Sequence, residues 1–283
     1  MRNTLITGAS GQLGRELKRI TALRRTFFYT DLHSCEEEGI VSLDICNKDA
    51  VREFVQKNNI GTIINCAAYT DGAESNQERC YRINRDGALS LSLAAAEVDA
   101  VMVHISTDYV FDGHFRRGGY KESDTASPLS VYGRSKLMSE LALKATGVRG
   151  VILRTSWLYS PYGKNFVKTM LAKGKTSDHI NVIMDQIGSP TYAADLARAI
   201  LQIVPKIGDR RAEIYHYSNL GECSWQNFAS YIMIYGGLHC KVNGITSTEY
   251  PQKAQRPAYS YMDKSKTIAD FGITIPDWKS SLK

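Results

Sequence analysis

The fold is decided near the N-terminus by the stretch Asn3-Thr4-Leu5-Ile6-Thr7-Gly8-Ala9-Ser10-Gly11-Gln12-Leu13-Gly14. Its first five residues are typical of a short buried strand, and the apolar residues that follow recur with helical spacing. Between them, Gly8 permits a tight turn, Gly11 lets a pyrophosphate approach the backbone, and Gly14 lets helix and strand pack closely. The N–H groups and the dipole of the helix N-terminus would hold the negative charge. The stretch therefore predicts a dinucleotide site, with an ordinary strand–helix turn as the alternative.

Outward from this stretch, strands and helices alternate as far as about residue 157. Further strands are predicted at 27–30, 62–66, 101–105 and 151–155. Helices are predicted at 49–58, at 89–98 and within 129–146. Short connections between alternating elements predict an α/β fold, a Rossmann-type doubly wound parallel sheet with helices on both faces.

After Trp157 the alternation weakens and aromatic, glycine and proline residues become more frequent. We therefore predict a smaller C-terminal substrate-binding lobe. Residues 1–157 are assigned to the dinucleotide-binding domain, with a returning segment near 182–210. Residues 158–181 and 211–283 are assigned to the lobe.

Composition limits the class of protein. With 283 residues, 43% of them hydrophobic, the chain can bury a core, which excludes intrinsic disorder as its main state. The net charge is +6, but the basic residues are scattered, so we expect anionic small ligands and no nucleic acid. The six cysteines show no C-x-x-C spacing, and no targeting segment or long apolar run is found. These features predict a cytoplasmic protein that does not contact a membrane.

Acidic and small residues extend the predicted cofactor site. Asp31 follows Gly14 by 17 residues, where a carboxylate binds the adenine-side ribose hydroxyls. Asp31 alone would favour NADH, but the neighbouring His33 and Ser34 could accept a 2′-phosphate, so NADPH and NADH both stay open. An Asp44 carboxylate could accept the adenine amino hydrogen while Ile45 flanks the ring. The third strand closes on small residues that leave room for ribose and nicotinamide, in the run Ala67-Ala68-Tyr69-Thr70.

A second motif supplies acid–base chemistry. Tyr132 and Lys136 are four residues apart, which places them on one face of a helix. A nearby ammonium stabilises a phenolate, so we expect Lys136 to lower the pKa of Tyr132 towards working pH. Thr107, at the end of a predicted strand, could orient Tyr132 and a substrate carbonyl; a helix or turn cap is the alternative for this residue.

Together these motifs resemble the extended short-chain dehydrogenase/reductase family, and within it the reductases of dTDP-linked 4-keto sugars. The resemblance covers nearly the whole chain. The motifs that carry it are Thr7 to Gly14, Asn65 to Thr70, Ile105 to Gly113, Pro128, Tyr132 to Glu140, Arg154 to Trp157, Asn165 to Val167, Asp185 to Thr191, Tyr215-His216, Ser224-Trp225 and Ala254 to Pro257.

The resemblance implies reduction of the 4-keto group of dTDP-4-dehydro-L-rhamnose to dTDP-L-rhamnose by hydride from NADPH or NADH. Tyr132 would be the proton donor, Lys136 would hold the nicotinamide ribose, and Thr107 would bind the carbonyl oxygen or tune Tyr132. The implied cofactor contacts are Gly11, Gln12, Leu13, Asp31, Asp44, Ile45, Ala68, Tyr69 and Thr70. The implied substrate contacts are Asp108, Trp157, Asn165, Gln186 and Arg256.

Two departures from the family pattern change what we expect. The loop Thr70-Asp71-Gly72-Ala73-Glu74 is two residues shorter than usual, with Gly72 where a lysine is common. Glu16 matches one position of an acidic metal site that some relatives have between subunits, but Ala194 occupies another. We therefore predict no metal and no metal-bridged dimer, and leave monomer and homodimer open.

Two alternatives to a reductase stay open. One is a nucleotide-sugar epimerase or dehydratase on the same scaffold, which would retain its NAD⁺. The other is a non-catalytic regulatory subunit like the β subunit of methionine adenosyltransferase, although Thr107, Tyr132 and Lys136 are all present.

Overall fold

The computed structural model describes residues 2–250 and 254–282. Its strands are β1 (Asn3–Thr7), β2 (Phe27–Asp31), β3 (Ile40–Ser42), β4 (Ile60–Asn65), β5 (Val101–Thr107), β6 (Gly150–Thr155), β7 (Leu158–Tyr159), β8 (His179–Ile183), β9 (Ile187–Gly188), β10 (Thr191–Tyr192), β11 (Glu213–His216), β12 (Cys223–Ser224) and β13 (Lys241–Ile245). Its α-helices are α1 (Gln12–Thr21), α2 (Lys48–Lys57), α3 (Gln77–Tyr81), α4 (Ala88–Glu97), α5 (Val131–Thr146), α6 (Phe166–Gly174), α7 (Ala193–Ile203), α8 (Trp225–Tyr235), α9 (Ser265–Phe271) and α10 (Trp278–Ser281). Shorter helical turns lie at Glu36–Glu38, Arg82–Gly87, Asp108–Val110 and Val204–Lys206.

Seven strands form the central sheet, in the order β3-β2-β1-β4-β5-β6-β11. All six pairings are parallel. The chain moves to one side of β1 for β2 and β3 and to the other side for β4, β5 and β6. This reversal opens a crevice at the carboxyl ends of β1 and β4, where ligands bind in sheets of this kind. The predicted fold class is confirmed.

Adjacent residues in each central strand point to opposite faces of the sheet. Leu5 and Met102 pack with α2, α4 and α5 on one face, and Ile6 and Val103 pack with α1, α7 and α9 on the other. All four side chains are fully buried. Burial of each such side chain contributes about 1.5–3 kcal/mol, so both faces stabilise the sheet that positions the site.

A second core lies beyond the sheet. It is built from α6, α8 and α10 around Phe228, together with residues of the strand pair β8–β13. The remaining short strands form the pairs β7–β10 and β9–β12. These elements make up a smaller lobe next to the carboxyl ends of the central strands.

The chain returns to the central sheet later than the predicted segment 182–210. Helix α7 lies in that segment and packs on the sheet, but β8, which ends at Ile183, pairs with β13 in the lobe. The returning strand is β11, in which Ile214 pairs with Ile152 of β6. Placing all of residues 211–283 in the lobe was therefore wrong for β11. With four residues, β11 is too short for its pattern to stand out. The domain division otherwise stays a prediction.

In the part of the chain that the structure describes, no helix has the length and apolar character needed to cross a membrane. The six cysteines are all free thiols.

Candidate active site

The glycine turn between β1 and α1 brings three backbone segments into close contact. Gly8 has a φ of +67°, and a Cβ there would lie 2.5 Å from the nitrogen of Ala67. A Cβ on Gly14 would lie 2.2 Å from the carbonyl oxygen of Gly8. Helix α1 begins after Gly11 without a capping side chain and without an acidic residue in its first turn. Its first N–H groups are therefore available to an anion.

A cavity of about 240 Å³ lies against this turn. Seven of the predicted cofactor residues line it, namely Gly8, Gly11, Asp31, Asp44, Ile45, Ala67 and Ala68. A second cavity of about 360 Å³ adjoins it, shares Leu32, Asp44 and Ile83, and includes Arg79 and Arg82. The predicted residues thus surround an elongated crevice suited to a nucleotide.

Asp31 also holds the turn itself. Its Oδ2 accepts the N–H of Ser10 at 2.9 Å and its Oδ1 accepts the N–H of Leu32 at 2.7 Å. Asp44 similarly accepts the N–H of Cys46 and lies 3.5 Å from Arg82. Both carboxylates therefore have fixed orientations toward the cavity.

The remaining predicted cofactor residues lie outside the cavity wall. Leu13 and Gly14 are buried where α1 packs on the sheet. The backbone of Tyr69 exchanges two hydrogen bonds with the Asn84 side chain, of 2.7 and 2.9 Å. In the short loop, Gly72 has a φ of +82°, and a Cβ there would lie 3.1 Å from the Tyr69 hydroxyl. Thr70 is exposed.

Helix α5 carries Tyr132 and Lys136 one turn apart, and its start is firmly held. Ser130 caps the helix by accepting the N–H of Gly133 at 3.1 Å, and Glu74 accepts the N–H of Val131 at 2.7 Å. The side chains on the first two turns of α5 therefore have little freedom.

Burial raises the pKa of Tyr132, and the nearby charge of Asp108 raises it further, while the hydroxyl of Thr107 lowers it. We expected Lys136 to lower this pKa, and in this structure that prediction was wrong: the shift is upward. The reason is that desolvation of the phenolate outweighs the other contributions. Tyr132 is consequently fully protonated at neutral pH, as a proton donor must be.

Lys136 is only 1% exposed. Burial lowers its pKa to about 8, and Glu140 opposes this shift. Its Nζ lies 3.3 Å from Nε2 of the fully buried His104.

Asp108 is buried beside Thr107, whose hydroxyl donates to its Oδ1 at 3.1 Å. Burial raises the pKa of Asp108 to about 7, against hydrogen bonds from Ser260 and Thr107 and the positive charge of Arg256. Its Oδ2 has no hydrogen-bond partner among residues 2–250 and 254–282. Arg256 is exposed. The unpartnered oxygen of Asp108 suits a hydrogen-bond donor of a ligand, and the exposed guanidinium of Arg256 suits an anionic group.

Trp157, which follows β6, stacks face to face on Trp225 with ring centroids 3.6 Å apart. Trp157 has a φ of +47°. Gly188 leaves room for the Trp157 ring, because a Cβ on Gly188 would lie 2.8 Å from Cε2 of that ring. Trp157 therefore packs against the lobe through Trp225 and also lies at the carboxyl end of a central strand.

Asn165 and Gln12, predicted for substrate and cofactor respectively, are bonded to each other. Asn165 Nδ2 donates to Gln12 Oε1 at 3.0 Å, and Asn165 Oδ1 caps α6. Gln186 is buried in the lobe and donates to Ser247 at 3.1 Å. Asn165 thus links the lobe directly to the helix that follows the glycine turn, through Gln12. Gln186 makes its hydrogen bond within the lobe.

Sequence reasoning missed two buried polar groups behind the site. Glu140 on α5 forms an ion pair with Arg154 of β6, and His104 of β5 contacts α5 through Ser139 and Lys136. The available signal was the presence of polar residues, such as His104 and Arg154, within strands buried on both faces.

Glu16, which matches one position of the metal site of some relatives, is 1% exposed and forms an ion pair of 2.9 Å with Arg19, and Ala194 is fully buried. No group of three or more potential metal-binding side chains occurs in the described residues. The absence of a metal stays a prediction.

Comparison with known proteins identifies close relatives. The family described as "RmlD substrate binding domain" matches residues 1–283. A dTDP-4-dehydrorhamnose reductase from Aggregatibacter actinomycetemcomitans is 41% identical over 296 residues, covering 100% of this chain and 98% of the relative. A crystal structure of a dTDP-4-dehydrorhamnose reductase from Clostridium acetobutylicum has a TM-score of 0.91 at 39% identity and covers 99% of this chain and 97% of that one. Another from Bacillus anthracis, in complex with NADP, has a TM-score of 0.87 at 38% identity and covers 100% and 98%.

Proposed function

This chain belongs to the dTDP-4-dehydrorhamnose reductase family, and we propose that it reduces the 4-keto group of dTDP-4-dehydro-L-rhamnose to give dTDP-L-rhamnose. The observation that carries the proposal is that Tyr132 and Lys136 share one face of α5, with Thr107 next to Tyr132 and with Lys136 close to Cys66 in the cavity wall.

The cavity residues fit NADPH or NADH. The uncapped start of α1 offers N–H groups to a pyrophosphate, and the close contacts at Gly8 and Gly14 leave no space for side chains there. Asp31 and Asp44 line the same cavity, where they would bind ribose and adenine. When bound, the reduced cofactor supplies the hydride.

The chain's own residues provide the proton and the orientation. Tyr132, held protonated by its raised pKa, donates its phenolic proton to the sugar oxygen as negative charge develops there. Thr107 orients the carbonyl from the end of β5, and Lys136 binds the nicotinamide ribose from the next turn of α5. Asp108, which accepts a hydrogen bond from Thr107, and the nearby Arg256 contact the substrate.

The lobe completes the substrate site. Trp157 offers an apolar surface to the sugar, and Asn165, Gln186 and Arg256 provide polar contacts for the nucleotide. The bond between Asn165 and Gln12 couples the position of the lobe to the glycine turn.

An epimerase or dehydratase, or a regulatory subunit, remains a distinguishable alternative. An epimerase would keep NAD⁺ through purification, and a regulatory subunit would co-purify with a synthetase. The names of the full-length relatives favour the reductase.

The experiment is to mix the purified protein with dTDP-4-dehydrorhamnose and NADPH, and separately NADH, and to follow loss of nicotinamide absorbance. Tyr132→Phe should lower kcat by about 10²-fold or more while cofactor binding is retained. Tyr81→Phe removes a hydroxyl from the same apolar cluster and serves as the control. Absence of turnover with both cofactors, or a Tyr132→Phe protein as active as the control, would contradict the proposal.

A further inference from the structure

A chain of buried hydrogen bonds connects the cavity wall with the helix that carries Lys136. Ala67 lines the cavity, and its N–H lies 3.1 Å from Asn65 Oδ1. Asn65 Nδ2 lies 3.1 Å from His104 Nδ1, and His104 Nε2 lies 2.9 Å from Ser139 Oγ. Ser139 Oγ lies 2.6 Å from the carbonyl oxygen of Lys136. Three elements of the fold, β4, β5 and α5, are thus joined through side chains that are almost completely buried.

The two ends of this chain fix the direction of every bond in it. The N–H of Ala67 can only donate, so Asn65 must present its oxygen to Ala67 and its amide nitrogen to His104. The carbonyl of Lys136 can only accept, so Ser139 donates to it and must accept from His104. His104 therefore accepts at Nδ1 and donates from Nε2, which assigns its tautomer from the hydrogen-bond network.

His104 carries only this one hydrogen. Complete burial and the adjacent Lys136 hold the pKa of His104 well below its usual value, so the imidazole is neutral. As a result, Nε2 donates its hydrogen to Ser139 Oγ and has no lone pair to offer Lys136, so the 3.3 Å contact between Nε2 and Nζ joins two donors. Within residues 2–250 and 254–282, Lys136 Nζ makes no other hydrogen bond.

Among the residues that the structure describes, the other titratable groups around Lys136 do not provide a free acceptor either. Glu140, one turn further along α5, is the nearby carboxylate, but Arg154 and Ser106 occupy its oxygens. The other titratable groups that act on Lys136 are the thiols of Cys66 and Cys80. Cys66 itself lines the cavity.

We propose that His104 is a positioning residue for Lys136. Because its Nε2 is a donor, His104 cannot accept a hydrogen bond from the Lys136 amine, and the amine is left free to bind the cofactor. The inference rests on the proposed function, since it concerns how the same site receives the nicotinamide ribose. Its consequence is a proton linkage. With a pKa of about 8 in the free protein, Lys136 is part-deprotonated near pH 8. Ribose oxygens would supply the missing acceptors and stabilise the ammonium, so cofactor binding would take up a proton.

The tautomer can be read directly. In protein labelled with ¹⁵N-histidine, His104 should show a protonated, pyrrole-type Nε2 and an unprotonated, pyridine-type Nδ1 from about pH 6 to pH 9. The signal is assigned by its loss in His104→Gln. The opposite tautomer, or a doubly protonated ring, would overturn the inference without any use of activity.

The proton linkage is measured by calorimetry of NADP⁺ binding near pH 8 in two buffers of different ionisation enthalpy. We expect an uptake of about half a proton for a group whose pKa equals the pH before binding. His104→Gln keeps the same order of acceptor and donor and should retain the uptake. His104→Glu offers a carboxylate to Lys136 and should abolish the uptake and weaken binding about tenfold or more.

His216→Gln is the matched control, because His216 is equally buried and its pKa is also lowered, yet it lies on β11. It should leave the uptake unchanged. Binding of NADP⁺ without proton uptake, or an unchanged uptake in a folded His104→Glu protein, would contradict the role of His104. A protein that binds neither NADP⁺ nor NADPH would instead contradict the proposed function.

Discussion

Arg154 and Glu140 form a buried two-point ion pair that joins β6 to the helix of Tyr132 and Lys136. The Nε and a terminal nitrogen of Arg154 lie 2.9 and 2.7 Å from the two oxygens of Glu140. Ser106 on the intervening strand β5 donates to the same carboxylate at 2.5 Å. Desolvation offsets much of the attraction in such a pair, but loss of one partner leaves the other charge buried and unpaired. The pair therefore fixes the position of α5 on the sheet.

Loss of one partner of this buried pair should lower the free energy of unfolding far more than loss of one partner of an exposed ion pair. Arg154→Met should lower the free energy of unfolding by about 3–5 kcal/mol. Arg52→Met, which removes an exposed partner of Glu97, should cost less than about 1 kcal/mol. Urea unfolding measures both, and the double variant Arg154→Met/Glu140→Leu should regain much of the loss. Equal effects of the two single variants would show that the buried pair does not stabilise α5.

The buried amine of Lys136 should reduce stability. A pKa of about 8 in place of 10.5 corresponds to roughly 3 kcal/mol disfavouring the charged, folded form. Because the unfolded chain binds the proton more tightly, this cost is complete below about pH 8 and declines as the pH rises towards 10.5. Lys136→Met should therefore raise the melting temperature at pH 7 while abolishing turnover. A melting temperature that falls instead would show that Lys136 has a stabilising partner.

Two alanine substitutions can separate the steric cost of the close contact at Gly8 from the cost of its left-handed backbone conformation. Gly8 and Gly39 have φ values of +67° and +63°, but a Cβ at Gly39 would meet no atom within 4 Å. Gly39→Ala should therefore cost about 1–2 kcal/mol for the left-handed backbone alone. Gly8→Ala should cost clearly more and should weaken NADPH binding, which equilibrium unfolding and a fluorescence titration would show. Similar losses at both positions would mean that the turn can move away from Ala67.

Stability should also decline in mild acid. His104 and His216 are both fully buried, and burial holds the pKa of each well below 6.5. Below about pH 6.5 the unfolded chain binds protons that the folded protein does not, so the free energy of unfolding falls as the pH decreases. His216→Gln should reduce this slope, by at most about 1.4 kcal/mol per pH unit. An unchanged slope in a folded His216→Gln protein would contradict this prediction.

Local patterns were sufficient for the features that a few consecutive residues determine. The glycine turn, Asp31 at the end of β2, and the Tyr132–Lys136 spacing each depend on neighbours along the chain, and the cavity wall contains seven of the predicted cofactor residues. Helical and strand periodicity likewise identified the alternating elements, because the spacing of apolar residues within each segment reflects which of its faces is buried.

The features that were missed depend on residues far apart in sequence. Nothing near His104 in the sequence indicates that Asn65 and Ser139 will enclose it, since these contacts exist only after β4, β5 and α5 have packed. The direction of the Tyr132 pKa shift depends in the same way on how deeply α5 is buried. A spacing of four residues can place Tyr132 next to Lys136, but it cannot give the degree of desolvation.

The late position of β11 in the chain affects how the sheet is completed during translation. The ribosome releases β6 long before Ile214 is available to pair with Ile152. Until then β6 is an open edge with unpaired backbone groups and apolar side chains, which is a template for pairing with other chains. Nascent chains that end before Glu213 should therefore self-associate, and chains that extend past the C-terminal helix α10 should not, as sedimentation of arrested chains would show. The risk of aggregation is thus greatest between the synthesis of β6 and the synthesis of β11.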